Sequence, residues 1–127
     1  MKILITGDRR WDDVLKMMEA LTPFPPGTII IHGACRGADV MAHALGEELG
    51  FVIRQYPANW LGLGRAAGPI RNQDMLDKEH TEDEKFDLCL AFHNKIKSSK
   101  GTKDMMSRCE ALGIETRLIT SDPKKKK

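Results

Sequence analysis

Residues 29–50 read IIIHGACRGADVMAHALGEELG. The stretch passes from an uninterrupted apolar run into a polar loop bracketed by two glycines, then into an amphipathic segment. Ala38, Met41, Ala42, Leu45 and Leu49 recur at helical spacing, and Gly50 stands where such a helix would end. A strand without polar alternation that leads directly into a helix is the unit of parallel sheets covered on both faces. His32, Arg36 and Asp39 at the turn are more than a plain connection requires.

The same unit repeats on either side. KILIT (2–6) predicts a first strand, and DDVLKMMEAL (12–21) a helix with Val14, Met17, Met18 and Leu21 on one face and Asp12 as N-cap. FVIRQY (51–56) predicts a third strand. PANWLGLGRAAG (57–68) reads as a long loop before a helix from Pro69 to about Lys78, where proline suits the first helical position. DLCLAF (87–92) is a fourth strand, and HNKIKSSK (93–100) a polar loop. A helix from about Thr102 to Leu112 stops at Gly113, and ETRLIT (115–120) is a fifth strand. SDPKKKK (121–127) reads as a disordered basic tail, which leaves 1–120 as one domain.

This alternation predicts an α/β, Rossmann-like, three-layer α/β/α fold with a parallel sheet of about five strands in the order 3-2-1-4-5. Ligands of such sheets bind beyond the carboxyl ends of the strands, where the winding reverses. Here that point lies between strands one and four. It gathers the three richest polar loops: GDRRW (7–11), HGACRGAD (32–39) and HNKIKSSKGT (93–102).

Composition narrows the function. The 127 residues carry a net charge of +2, and Lys124 to Lys127 supply four positive charges on their own, so the remainder is slightly acidic. With aromatic content at only 6%, the chain is not expected to bind nucleic acid. Cys35, Cys89 and Cys109 are widely spaced and form no CxxC pair, which suits a reducing cytoplasm. The apolar start is too short for a signal-peptide core, and no stretch approaches a membrane span. A cytoplasmic protein is expected, with no membrane partner; a homo-oligomer is compatible with this reading.

The loops suggest an anion. Gly33 and Gly37 allow close backbone approach, and Gly37 opens a helix whose free N–H groups could accept phosphate. Gly101 and Thr102 repeat the arrangement, with Arg9, Arg10, Arg36 and Lys100 nearby. The spacing is neither a Walker loop nor GxGxxG. Asp39 either complements the helix dipole or accepts from a ribose diol. His32 either orients its loop or takes part in chemistry. His32 and Cys35 form an HxxC pair with no second pair at zinc-like spacing, so no metal and no resident cofactor are expected. Trp11 and Trp60 each read as a base-stacking residue or as a lid on the core edge. Arg71 and Asn72 fall in the first turns of the third long helix, where they either face solvent or meet a phosphate or sugar.

ITGDRRW, IIHGACRGADVMA, YPANW, AAGPIRNQDML, LAF and GTKDMMSRCEALGI, in that order, resemble the YspA/YpsA-related branch of the SLOG superfamily, from about Ile3 to Ile119. The resemblance implies a pocket for a nucleotide or nucleotide-derived ligand, of the ADP-ribose/NAD or nucleoside-phosphate kind, held by a sensor or sequestering protein. It places Gly7, Asp8, Arg9, Gly33, Gly37, Ala38, Asp39, Arg71, Asn72, Gly101 and Thr102 on the ligand loops. Distant relatives, the LOG phosphoribohydrolases, release a base from a nucleoside monophosphate and carry PGGxGTxxE. This chain has no PGG, and Met105 stands at the position of the final glutamate. Asp104, one residue before it, is expected to point elsewhere, by about 100° around the helix. As an alternative function, nucleotide N-glycosidase activity leaves Asp39 and Arg71 as the candidate catalytic residues.

Overall fold

The computed structural model describes residues 1–121. Five parallel strands, β1 (Lys2–Gly7), β2 (Ile29–His32), β3 (Val52–Gln55), β4 (Leu88–Phe92) and β5 (Thr116–Ile119), form one sheet in the order β3-β2-β1-β4-β5. The helices are α1 (Val14–Leu21), α2 (Ala38–Glu48), a single turn α3 (Trp60–Leu63), α4 (Ala67–Glu79) and α5 (Gly101–Ala111). The Rossmann-like order expected from the sequence is therefore the one adopted. Among the described residues, no helix is long and apolar enough to cross a membrane.

Strand alternation divides the core into two layers. Ile3, Ile5, Ile30, Leu88, Leu90 and Phe92 pack with Met17, Leu21, Ala38 and Ala42 on the α1–α2 side. Leu4, Ile31 and Cys89 point the opposite way, onto Met75, Leu76, Met105 and Cys109 of α4 and α5. Because both faces are covered, the central strands carry no polar alternation. Each such aliphatic side chain contributes about 1.5–3 kcal/mol by leaving water.

Two helix starts differ from the sequence reading. Asp13, not Asp12, caps α1, its carboxylate accepting from the Lys16 N–H at 3.0 Å. The cap belongs to the residue three positions before the orphan donor, which is Asp13. In addition, α4 begins at Ala67, so Pro69 is its third residue rather than its first. Proline is tolerated there because first-turn N–H groups have no intrahelical partner. The tract read as one long loop contains α3 and a 3-10 turn, Gly64–Ala66, and no residue of either is buried.

At the opposite, amino-terminal end of β1, the buried Lys2 ammonium pairs with Glu79 at 3.0 Å and Glu84 at 3.1 Å, above the Phe86 ring. Arg54 reaches the same Glu79 oxygen at 2.7 Å, and the Tyr56 hydroxyl donates to the other. Burial pushes the Glu79 carboxyl upward, but hydrogen bonds from Tyr56, Lys2 and Arg54 outweigh it and hold its pKa below the usual value. Ordered contacts extend to Ser121, which the sequence reading placed in the tail: its N–H donates to Asn94 at 2.7 Å. The rest of the tail, 122–127, lies outside the described residues.

Candidate functional site

The carboxyl ends of the strands open into a cleft of about 840 Å³. Asp8 and Arg9 after β1, Cys35 and Asp39 around the start of α2, Arg71 and Asn72 on α4, and Lys100, Gly101 and Thr102 at the start of α5 line it together. The three polar loops thus meet at the winding reversal, with Gly7 at its base.

The loop after β2 is closed by its own residues. One oxygen of the Asp39 carboxylate, Oδ2, accepts from the N–H of Gly33 at 3.0 Å and from that of Cys35 at 3.2 Å. The other, Oδ1, is buried and has no hydrogen-bond partner among the described residues. Burial pushes the Asp39 pKa up to about 6, against the opposing pull of the Cys35 N–H, Arg71, the Gly33 N–H and Arg9. The helix-dipole role foreseen for Asp39 is therefore joined by a second one, a loop clamp, and one acceptor is left over.

Gly37 does not open the α2 terminus toward an anion. At φ +76° it lets the Asp8–Arg9 backbone cross directly over the helix start, where a Cβ would lie 2.3 Å from the Asp8 carbonyl oxygen. That oxygen accepts from the Ala38 N–H at 3.1 Å, so the first helical donor is already occupied. Gly33 and Ala38 likewise support the cleft from behind rather than line it. Arg10 and Arg36 are exposed and lie outside the cleft.

His32 turns away from the cleft. Its Nδ1 accepts from the Ala34 N–H at 2.9 Å, and its Nε2 lies 2.8 Å from Nδ1 of His43. Burial, then His43 and Arg71, lower its pKa to about 4. Both ring nitrogens being engaged, His32 orients the loop. Trp11 is also withdrawn: only 4% exposed, it packs edge-on against Phe92 and donates to the Asp13 carbonyl. Trp60 took the other course. It is 46% exposed on the cleft wall, with the Arg9 guanidinium 5.3 Å above its ring.

Arg71 lies in the cleft but is held by protein groups. Nη1 donates to the carbonyls of Gly33 and Tyr56, Nε donates to Asn72 Oδ1 at 2.9 Å, and Nη2 faces the Cys35 sulfur at 3.8 Å. At α5 the Ser99 hydroxyl accepts from the Thr102 N–H at 3.1 Å. A Cβ added to Gly101 would meet nothing within 4 Å among the described residues.

Sequence reasoning missed several cleft residues, among them Thr6, Cys35, Arg65, Gly68, Pro69, His93, Ser99 and Asp104. His93 was findable, since it directly follows β4 just as Asp8 follows β1. Its Nδ1 accepts from the Lys95 N–H at 2.9 Å, which turns Nε2 to within 3.9 Å of Asp8 Oδ2. Asp104 corrects an expectation. Met105 is buried in the core, and that same rotation of one residue brings Asp104 to the cleft, where it accepts from Asn72 at 3.0 Å and Arg108 at 2.8 Å.

Residues 1–62 match the family model described as YspA, cpYpsA-related SLOG family. The chain is also similar to the Gene 61 protein of Mycobacterium phage D29, 34% identical over 122 residues, covering 89% of this chain and 91% of that one. No solved structure matches it. With the parallel sheet, the winding order and a relative aligned along nearly its full length, the chain belongs to the YspA, cpYpsA-related SLOG family.

Proposed function

We infer that the cleft binds a nucleotide or nucleotide-derived small molecule, of the nucleoside-phosphate or ADP-ribose/NAD kind, and that the protein acts as a sensor or sequestering protein. The observation that carries this reading is Asp39 Oδ1, without a hydrogen-bond partner among the described residues and buried in the wall of a cleft that Arg9, Arg65, Arg71 and Lys100 also line. A buried acceptor left unsatisfied costs about 1–3 kcal/mol, and a ligand donor relieves that cost. A ribose diol supplies such donors. The phosphate of the same ligand would meet Lys100 and the start of α5 beside Gly101, where a helix dipole favours an anion.

Calorimetry with AMP, NAD, ADP-ribose and cyclic ADP-ribose tests the reading. We expect heat of binding with at least one of them and a loss of about tenfold or more in Asp39→Asn, which keeps the loop clamp but changes the acceptor. Silence with all four ligands would defeat it.

A second reading, hydrolysis of an N-glycosidic bond in a nucleoside monophosphate, draws on the acid–base groups in the cleft: His93 with Asp8, and Asp39 near the sugar, with Arg71 toward the phosphate. Glycosidic cleavage needs a carboxylate near the anomeric carbon. Free base detected by chromatography would promote this reading over simple capture.

A further inference from the structure

The cleft wall carries a feature that phosphate and sugar recognition leave unused. Trp60 stands half exposed on a single helical turn. Its mounting is specific: Asn59 caps that turn by accepting from the Gly62 N–H at 3.0 Å, and the far edge of the indole rests on α4 at Gly68, where a Cβ would come within 3.3 Å of it. The Arg9 guanidinium, a flat cation, lies 5.3 Å from the ring centre. An aromatic face presented to a polar cleft and covered by a flat cation is a stacking position.

We propose that Trp60 is the platform for the ligand's planar base and that Arg9 holds this seat until the ligand arrives, then moves to its phosphate. The inference rests on the nucleotide reading of the cleft and adds a requirement to it: a base, not a sugar phosphate alone. The order along the sheet edge is consistent with one extended ligand. Trp60 follows β3, Asp39 follows β2, and Lys100 with Gly101 follow β4, so base, sugar and phosphate would run in the order of a nucleotide. Guanidinium stacking is the weaker of the two interactions at an exposed site, so the exchange favours the base.

The test compares AMP with ribose 5-phosphate, which differ only by the base, titrated calorimetrically into the full chain. We expect AMP to bind about tenfold tighter or more, the size of one base–aromatic stack. That advantage should vanish in Trp60→Ala and survive in Trp60→Phe, with circular dichroism confirming that both variants fold. In Arg9→Ala, AMP should weaken while its quenching of Trp60 fluorescence persists, the buried Trp11 giving a constant background. If AMP and ribose 5-phosphate bind equally, or if the advantage of AMP survives in Trp60→Ala, the platform is wrong although the cleft still binds sugar phosphates. If neither compound binds, the platform is wrong, and if NAD, ADP-ribose and cyclic ADP-ribose are silent as well, the nucleotide reading itself falls with it.

Discussion

Gly33 lies directly under the guanidinium of Arg71: a Cβ built on Gly33 would be 2.3 Å from Nη1. The obstacle is the end of a flexible side chain, which can swing aside. At Gly37 the obstacles are the Asp8 and Arg9 backbone, and φ is +76°. We therefore expect Gly33→Ala to cost about 1 kcal/mol and Gly37→Ala about 3 kcal/mol or more. Urea denaturation of the two variants measures the difference, and equal losses would contradict it.

Asp39 and His32 oppose each other in acid. Folding raises the Asp39 pKa to about 6 from an ordinary 3.8, so the folded chain takes up this proton and gains stability as pH falls from 6 toward 4. Folding lowers the His32 pKa to about 4 from 6.5, so the folded chain rejects that proton and loses stability over nearly the same window. Asp39→Asn should then make stability fall more steeply on acidification than in the parent, by up to about 1.4 kcal/mol per pH unit. His32→Gln should change the slope in the opposite sense. Denaturation midpoints at several values between pH 4 and 7 decide it.

Glu79 sits between two cations and a phenol, with side-chain exposure of 8%. Glu79→Gln leaves the buried Lys2 short of its nearest counter-charge, and a loss of about 3 kcal/mol is expected. Lys2→Met combined with Glu79→Leu should recover much of that loss, because a neutral packed pair has no charge to desolvate. The depressed Glu79 pKa also means that the stability it contributes is complete above its unfolded value and is lost as pH falls through the folded one. The double variant should lose that acid sensitivity, as thermal melts at pH 3 and pH 6 would reveal.

Ser99 completes the α5 terminus from outside the helix. Removing its hydroxyl in Ser99→Ala frees the Thr102 N–H and should cost about 1 kcal/mol, read as a drop in melting temperature of a few degrees.

The strands were legible because β1, β2 and β4 are buried on both faces and so leave unbroken apolar runs. Right-handed crossovers then left little choice of winding. Helix starts were less legible. Asp12 and Asp13 are equivalent caps in sequence, and only the direction of the chain leaving β1 selects the second. The start of α4 was hidden by Gly64 and Gly68, which read as loop although the chain between them is helical. In the site, the polar loops were found as a group, but not which atoms face inward. Gly37 reads as an open helix end until the Asp8 carbonyl is seen lying across it. His32 and Trp11 carry the side chains of a binding site yet serve the scaffold. Cys35 and Asp104 lie inside the quoted motifs, but only the folded backbone shows that their side chains turn inward.

The two walls of the cleft are built unequally. On the β1–β2 side, backbone is fastened to backbone through Gly37, Ala38 and Asp8. On the β3 side, Trp60 and Arg65 ride on residues 59–66, none of them buried. Exchanging that one surface tract leaves every core contact untouched. Descendants of such a chain can therefore retune which molecule they accept without renegotiating the fold that holds it.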